Sequence, residues 1–203
     1  RNHRFLVEAR QHESLRTYVP GAVGTGEILG IRYYAEERVS GHSLLDELGA
    51  SNGMQWFDAA TRFLEAVNPD LQQRQPEVLA TEIFQRQVSA PLEWLARVVD
   101  ANLVERIDRY LRHRLQGSLI RLGVVHGDFS YNNVFVQNGS IIGVIDWDDS
   151  DLMGIPALDA LNFVDSRYRC LNHHQTTVQV ISRLAKWDGL THEERDFLEK
   201  GYR

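Results

Sequence analysis

Residues 124–147 read VVHGDFSYNNVFVQNGSIIGVIDW, and this stretch decides the expected fold. It holds three short runs of β-branched and aromatic residues, which are typical of strands: Val124–Val125, Val134–Val136 and Ile141–Ile145. The dipeptide Asn138-Gly139 separates the last two runs. Asn-Gly between apolar runs is the strongest short-range signal for a two-residue hairpin turn. The stretch therefore predicts an antiparallel hairpin preceded by a short strand.

The expected turn also determines which residues of the hairpin face each other. A two-residue loop places Asn133 opposite Val144, and Asp146, two residues further on, then shares a face with Asn133. Diagonal neighbours of this kind lie about 7 Å apart at the backbone, so both side chains can reach one cation. One carboxylate and one amide oxygen suit Mg²⁺, which keeps several waters and binds phosphates. The sequence therefore predicts a magnesium site at Asn133 and Asp146.

The segment before the hairpin supplies a further acid. His126 and Gly127 lead to Asp128, and Asn133 comes five residues after Asp128. Kinases use this spacing for an Asp that accepts the hydroxyl proton and an Asn that binds metal. Asp and Asn are also common turn residues, but their position beside Asp146 favours the catalytic interpretation. For His126 we favour a structural role, holding the loop by hydrogen bonds, over a role as catalytic base.

These motifs together resemble those of the aminoglycoside phosphotransferase family. The shared residues are His-Gly-Asp at 126–128, Asn133 after four intervening residues, and Ile-Asp-Trp at 145–147. That family has the protein-kinase-like fold and includes choline, homoserine and sugar kinases. The resemblance implies a phosphotransferase that uses ATP and Mg²⁺, with Asp128 as catalytic base and with Asn133 and Asp146 as Mg²⁺ ligands.

The resemblance extends more weakly to the rest of the chain. Glu8 is similar to the helix glutamate that pairs with the ATP-binding lysine, and Glu37 and Val39 are similar to hinge positions whose backbone binds adenine. Asp159 matches a family acid that is expected to be structural. Residues 70–120 correspond to a helical insertion that is typical of the family.

The resemblance also predicts the domain organisation. Residues 1–40 correspond to a partial N-terminal, nucleotide-side lobe and hinge, and residues 41–203 to the helical C-terminal lobe that carries the catalytic and substrate sites. The expected fold class is α+β: a mainly helical C-terminal lobe with a small catalytic β-hairpin, plus a remnant of the N-terminal lobe. The strands with the phosphate-covering loop and the ATP lysine are expected before residue 1, so most of that lobe is expected to be missing.

The remaining segments predict mostly helices. Apolar spacing indicates one strand over 31–39 and helices over 3–17, 54–67, 91–115, 157–169, 174–187 and 191–200. In the helix that begins at Pro91, apolar residues recur three and four apart up to Leu115, which indicates one buried face. A glycine-rich stretch does not fit the nucleotide motif G-x-G-x-x-G, and a simple loop is expected there: Gly21, Gly24, Gly26 and Gly30.

Three more acids follow the hairpin: Asp148, Asp149 and Asp151. A calcium-binding loop is rejected, because Asp151 stands where that loop requires Gly and Ala157 stands where it requires Glu. These acids would suit a pocket for a cationic substrate, and they would equally suit a solvated loop. The sequence leaves both interpretations open.

The composition excludes several classes of protein. Hydrophobic residues make up 43% and charged residues 25% of the 203 residues, as in globular proteins. The net charge of -6 argues against a nucleic-acid partner. No apolar run approaches the roughly 18 residues that a membrane span needs. The single cysteine, Cys170, permits no intrachain disulfide and agrees with a cytoplasmic location.

Three functions are compared on these residues. The leading hypothesis is transfer of the ATP γ-phosphate to a hydroxyl of a small polar acceptor, such as an aminoglycoside, another sugar or an amino alcohol. A second is a metal-dependent nucleotide-sugar glycosyltransferase, because Asp146-Trp147-Asp148 resembles its Asp-x-Asp motif. Such an enzyme should open with alternating strands and helices, and this chain does not. A third is a non-catalytic kinase-like binding module.

Overall fold

The N-terminal part of the chain folds into two short helices and a β-hairpin. The computed structural model describes residues 2–48, 53–173, 179, 183 and 186–202. The first elements are α1 (Asn2–Ala9), α2 (Glu13–Arg16), β1 (Ala22–Ile28) and β2 (Ile31–Glu36). The helix predicted over 3–17 is therefore two helices, and the strand predicted over 31–39 ends at Glu36.

The middle of the chain is mostly helical. It contains, in order, β3 (His42–Ser43), α3 (Leu44–Glu47), a 3-10 turn (Met54–Trp56), α4 (Phe57–Val67), β4 (Glu77–Val78), α5 (Thr81–Phe84), a π-helical turn (Gln85–Ser89), α6 (Ala90–Leu95) and α7 (Ala101–Leu115). The helix predicted over 54–67 is confirmed by the 3-10 turn and α4.

The last part of the chain carries the short strands and two long helices. Its elements are β5 (Leu119–Ile120), β6 (Gly123–Val125), β7 (Val134–Gln137), β8 (Ser140–Val144), β9 (Asp151–Gly154), α8 (Ala157–Leu171), a 3-10 turn (Trp187–Gly189) and α9 (His192–Tyr202). The helices predicted over 157–169 and 191–200 are confirmed as α8 and α9. The helix predicted over 174–187 lies for the most part outside the described residues.

Gly24 and Gly26 of the glycine-rich stretch lie in strand β1, so the loop predicted at these two positions was wrong. β1 pairs antiparallel with β2, and Leu29 and Gly30 form the turn at φ angles of 53° and 79°. A side-chain carbon at Gly26 would lie 2.5 Å from the hydroxyl oxygen of Tyr33 on the paired strand. Glycine therefore leaves room for the tyrosine ring to cross the ribbon, a packing role that composition alone does not reveal.

The predicted hairpin forms between β7 and β8, but its register differs from the prediction. Near the turn, Gln137 pairs with Ser140 and Val136 with Ile141, as predicted. A bulge between Val136 and Phe135 then shifts the pairing by one residue, so that Val134 lies opposite Val144. Asn133 instead accepts a hydrogen bond from the backbone N–H of Ile145 at 2.9 Å. The prediction that Asn133 faces Val144 was therefore wrong. Apolar residues occupy both flanks of the bulge, so alternation could not locate it.

The long helix predicted over 91–115 is two helices, and its predicted buried face is exposed. Asp100 caps the start of α7 by accepting a hydrogen bond from the N–H of Asn102 at 2.9 Å. Val98, Leu103 and Tyr110 are 66%, 47% and 62% exposed. Apolar spacing correctly indicates an amphipathic helix, but it does not say whether another element covers that face.

The core is a set of stacked aromatic rings between α4, α8 and α9. The ring centroids of Phe63 and Phe129 lie 4.7 Å apart, and those of Phe129 and Phe163 lie 5.0 Å apart. Phe57 of α4 stacks on Phe197 of α9 at 5.0 Å. Because Phe129 follows the proposed catalytic Asp128 directly, the core anchors the catalytic loop. Among the described helices, none is both long and apolar enough to cross a membrane.

Candidate active site

The sequence motif occupies the loop between β6 and β7 and the end of β8. β6 pairs with β9 and ends at Val125, so the chain enters the loop with His126. After β8 the backbone of Asp146 adopts a left-handed conformation, with φ of 63°. A non-glycine residue at positive φ is uncommon and often marks a functional position. This conformation ends the strand and sets the direction of the Asp146 side chain.

Two side chains of α8, Asp159 and Asn162, form hydrogen bonds with the backbone of the loop between β6 and β7. Asp159 is 2% exposed and accepts hydrogen bonds from the N–H groups of His126 and Gly127, at 2.7 and 2.9 Å. Burial raises the pKa of Asp159 to about 7, against the opposing effect of these two bonds. Asn162, one helical turn further, donates to the carbonyl of Gly127 at 3.0 Å. These contacts agree with the structural role expected for Asp159.

His126 is a buried structural residue of the same loop. Its Nε2 lies 2.9 Å from the carbonyl oxygen of Ile145, and its Nδ1 accepts the N–H of Asp128 at 3.2 Å. Burial lowers the pKa of His126 to about 4. A neutral imidazole with a proton on Nε2 satisfies both contacts. The side chain thus links the end of β8 to the loop, as the structural interpretation expects.

Gly127 is the loop position where only glycine fits. Its φ is 88°, and a side-chain carbon there would lie 2.5 Å from the backbone carbonyl oxygen of Asp149. Glycine alone adopts this conformation without strain and also permits the close approach. The segment that carries Asp149 is thereby packed directly against the residue that precedes Asp128.

Asp128 and Asn133 are in direct contact. The Nδ2 of Asn133 donates to the Oδ2 of Asp128 at 2.9 Å and to its backbone carbonyl at 3.0 Å. Asn133 is 7% exposed, whereas Asp128 is exposed. Because the amide nitrogen of Asn133 is committed to Asp128, its amide oxygen is the atom that could bind a cation.

Asp146 lies in a concentration of negative charge. Burial raises its pKa, and the carboxylates of Asp148, Asp128 and Asp149 raise it further, in that order. Asp146 therefore lies within electrostatic reach of Asp128 even though the predicted register was wrong. Its backbone is left-handed here, with φ of 63°.

Glu36, at the end of β2, belongs to the same charged region and was missed from the sequence. Its Oε2 is buried and has no hydrogen-bond partner among the described residues. Burial raises the pKa of Glu36, and the charges of Asp146 and Asp148 add to the effect. The available signal was a charged residue at the end of a strand with two tyrosines, next to the predicted hinge.

The three residues predicted on the nucleotide side, Glu8, Glu37 and Val39, have different surroundings. Glu8 lies on the exposed side of α1, and its side chain makes no hydrogen bond or ion pair with the described residues. Glu37 pairs with Arg10 at 2.6 Å, and this partner holds the pKa of Glu37 below its usual value. The backbone N–H of Glu37 donates to Gly21 at 2.7 Å, and Val39 packs against Gly143.

The three acids after the hairpin have different surroundings. Asp151 pairs with Arg86 at 2.5 Å, and Gln87 also donates to it at 3.3 Å. Asp148 is exposed and lies toward Asp146, whereas the exposed Asp149 lies at the wall of a cavity. The three acids could not be distinguished from the sequence, because Arg86, which neutralises Asp151, is distant along the chain.

The cavity lies beside the catalytic loop and has a volume of about 670 Å³. The π-helical turn and α6 form one wall, and the loop with Gly127, the Asp149 segment and α8 form the other. Residues on its walls include Arg86, Trp94, Val125, Gly127, Asp149 and Asn162. Its size is that of pockets for small molecules.

The described residues hold no protein-only metal cage. No three acidic, histidine or cysteine side chains among them converge on one metal position. Mg²⁺ differs from most metals here, since it usually binds one or two protein oxygens and completes its shell with waters and substrate phosphates. The pair of Asn133 and Asp146 matches that pattern.

The fold defines the class of the protein as kinase-like, and a family comparison identifies it as a phosphotransferase. The profile of the phosphotransferase enzyme family, APH, matches residues 1–197, and the chain belongs to this family. The resemblance drawn from the sequence is thereby confirmed, as is the α+β kinase-like fold class. No curated protein sequence matches significantly.

Solved structures support the same fold. A variant of a thermostable aminoglycoside phosphotransferase APH(4)-Ia, in ternary complex with AMP-PNP and hygromycin B, superposes with a TM-score of 0.60 at 16% identity, over 98% of this chain and 79% of that one. An aminoglycoside-3'-phosphotransferase of type VIII gives 0.54 at 18% identity, over 99% and 79%. A GDP complex of an aminoglycoside 2'-phosphotransferase-IIIa variant gives 0.52 at 14%, over 98% and 77%.

Proposed function

We propose that this chain carries the active site of an ATP-dependent phosphotransferase that transfers the γ-phosphate to a hydroxyl of a small polar molecule. The observation that carries this proposal is the 2.9 Å hydrogen bond between Asn133 and Asp128, beside the crowded carboxylate of Asp146. The bond fixes the orientation of an exposed carboxylate whose chain neighbour, Gly127, lies on the wall of the cavity. An acid held in this way is suited to orient a hydroxyl and accept its proton.

Asp128 acts as the catalytic base in this proposal. Its Oδ2 accepts the Asn133 hydrogen bond, so its other oxygen is available for the acceptor hydroxyl. The proton moves from that hydroxyl to Asp128 as the oxygen attacks the γ-phosphorus and the bond to ADP breaks. Asp159, His126 and Asn162 hold the loop through their hydrogen bonds.

Asn133 and Asp146 would hold Mg²⁺. Their oxygen atoms suit this ion, and the negative neighbours that raise the pKa of Asp146 favour a cation there. When bound, Mg²⁺ neutralises charge on the phosphates of the nucleotide. Neighbouring structures that contain AMP-PNP or ADP support nucleotide as the phosphate donor.

The nucleotide itself would bind between the N-terminal hairpin and the catalytic hairpin. Glu37 and Val39 are proposed as the hinge positions whose backbone meets the adenine. Because the N–H of Glu37 already donates to Gly21, its carbonyl is the group left for that contact. Glu8 is proposed to pair with the ATP-binding lysine.

The acceptor would occupy the cavity beside Gly127. A neighbouring aminoglycoside phosphotransferase structure that contains hygromycin B supports a small-molecule acceptor. The glycosyltransferase alternative loses support, because every strand pair in the described residues is antiparallel, whereas a nucleotide-sugar enzyme should contain a nucleotide-binding sheet of alternating strands and helices.

The proposed function is tested by ADP release with Mg²⁺ and ATP across a panel of hydroxyl acceptors. The panel contains aminoglycosides, simple sugars and amino alcohols. We expect at least one acceptor to stimulate ADP formation, with the stimulation lost in Asp128→Asn. A panel without any stimulation, or equal stimulation in the variant, would contradict the proposal and favour a non-catalytic binding module.

A further inference from the structure

The two acids on the wall of the acceptor cavity, Asp149 and Asp151, are not equally free to bind a positively charged ligand. Arg86 and Asp151 lie on opposite walls and form an ion pair at 2.5 Å. The carboxylate of Asp151 is 16% exposed and also accepts hydrogen bonds from Gln87 and from the N–H of Met153. Its charge is therefore already balanced, and a ligand would have to displace Arg86 in order to use it.

Asp149 is the free carboxylate of the cavity. Its side chain makes no hydrogen bond or ion pair with any residue that the structure describes, and it is exposed. Its backbone carbonyl lies against Gly127, one residue from Asp128. A positive group bound by Asp149 would therefore lie close to the reacting hydroxyl. Asp148 is not part of the cavity wall and lies toward Asp146 and Glu36.

Trp94 supplies an apolar surface in the same cavity. It belongs to α6 and is 63% exposed, and its ring stacks on no other ring in the described part of the chain. An exposed indole attracts cations through the face of its ring and also packs on the apolar face of a sugar or an alkyl chain. Trp94 and Asp149 line the same cavity, and their chemistry suits a ligand that carries both an apolar surface and a positive charge.

We propose that this cavity selects an acceptor with a single positive charge, held by Asp149, and an apolar ring or chain, packed on Trp94. This inference rests on the proposed function and narrows its acceptor class to monoamines, such as an amino sugar with one amine or an amino alcohol. Further amines on the acceptor find no second free acid on the cavity wall, because Arg86 already neutralises Asp151, the other acid that lines it. Arg86 thus sets the charge selectivity of the cavity.

The test compares the binding of glucosamine, glucose and the polyamine sugar neamine by calorimetry without nucleotide. We expect glucosamine to bind about tenfold more tightly than glucose, and neamine to bind no more tightly than glucosamine. Asp149→Asn should remove the advantage of glucosamine over glucose. Trp94→Ala should weaken both sugars by about threefold to tenfold.

The matched control is Asp148→Asn, which makes the same change in charge one residue away but outside the cavity wall. It should leave the ratio between glucosamine and glucose unchanged. The inference would be overturned if Asp149→Asn and Asp148→Asn reduced the affinity ratio between glucosamine and glucose equally. It would also be overturned if neamine bound about tenfold more tightly than glucosamine. These readouts need no turnover, so the inference can fail while acceptor-stimulated ADP release still supports the proposed function.

Discussion

At the scale of single residues, the hydrogen bond between Asn133 and Asp128 separates two proposed roles. Asn133 gives its amide nitrogen to Asp128 at 2.9 Å and keeps its oxygen for a cation. Asp128 keeps one carboxylate oxygen for a hydroxyl. Replacement of Asp128 should therefore affect proton transfer and leave the binding of nucleotide almost intact.

The first prediction concerns that separation. Asp128→Asn should lower kcat roughly 10²- to 10⁴-fold, the usual contribution of a general base, with little change in nucleotide affinity. Steady-state kinetics with a competent acceptor, together with nucleotide titration, measures both quantities. Asp46→Asn, at an exposed position of α3, serves as the control and should behave as wild type. Comparable losses of nucleotide affinity and kcat in Asp128→Asn would argue against a base.

The second prediction concerns the opposed titrations of Asp159 and His126. Burial raises the pKa of Asp159 from 3.8 to about 7, so the folded protein binds the extra proton and its stability falls as pH rises between these values. Burial lowers the pKa of His126 from 6.5 to about 4, so the unfolded chain binds the extra proton and stability rises with pH over that window. In the wild type the two effects largely cancel.

Asp159→Asn removes one side of this balance. The free energy of unfolding of the variant should rise between pH 4 and 6.5, at a slope that approaches about 1.4 kcal/mol per pH unit. Urea denaturation of both proteins at several pH values measures it. Parallel pH profiles for wild type and variant would show that Asp159 does not titrate in this range.

At the scale of elements, the catalytic loop depends on close packing between backbone segments. Gly127 has a φ of 88°, and the carbonyl of Asp149 lies where its side chain would be. The loop is held in addition by Asp159 and Asn162 from α8. Any displacement of this segment would move Asp128 relative to Asn133.

The third prediction tests this packing. Gly127→Ala should abolish phosphoryl transfer and lower the unfolding temperature, because the added carbon would lie 2.5 Å from a backbone oxygen. Gly24→Ala is the matched control, since a side-chain carbon there meets no atom within 4 Å. Thermal denaturation and the ADP-release assay compare the two. An active, equally stable Gly127→Ala protein would contradict the proposed fit.

The elements around the site differ in how far they could be predicted from the sequence. The Asn-Gly turn, the strands on either side and the spacing of Asp128 and Asn133 are local signals, and the hairpin that they predicted is confirmed. The one-residue bulge depends on packing against other elements, so alternation could not place it. The burial of the Glu36 Oε2, which has no hydrogen-bond partner among the described residues, and the pairing of Arg86 with Asp151 arise from tertiary contacts between distant segments.

At the scale of the whole molecule, the helices behind the site are joined by a buried ionic cluster. Glu194 of α9 is fully buried and pairs with Arg167 of α8 at 3.0 Å and with Arg183. It also accepts the N–H of Thr191 at 2.8 Å. This cluster lies beside the aromatic core that contains Phe129, so it supports the catalytic loop from a distance.

The fourth prediction is that loss of this buried charge destabilises the whole fold. Glu194→Gln should lower the free energy of unfolding by about 3–5 kcal/mol, because two arginines would lose their buried counter-ion. Asp196→Asn, exposed on the same helix, should have no measurable effect. Denaturant unfolding of both variants measures the difference. Equal stability of Glu194→Gln and wild type would mean that solvent reaches this cluster.

The central claim is that Asn133 and Asp146 bind Mg²⁺ together with a nucleotide. Calorimetric titration of AMP-PNP with and without Mg²⁺ tests it directly, on the wild type and on Asp146→Ala. We expect the wild type to bind AMP-PNP only in the presence of Mg²⁺, and Asp146→Ala to lose this binding. Binding that is independent of Mg²⁺, or that is unchanged in the variant, would contradict it.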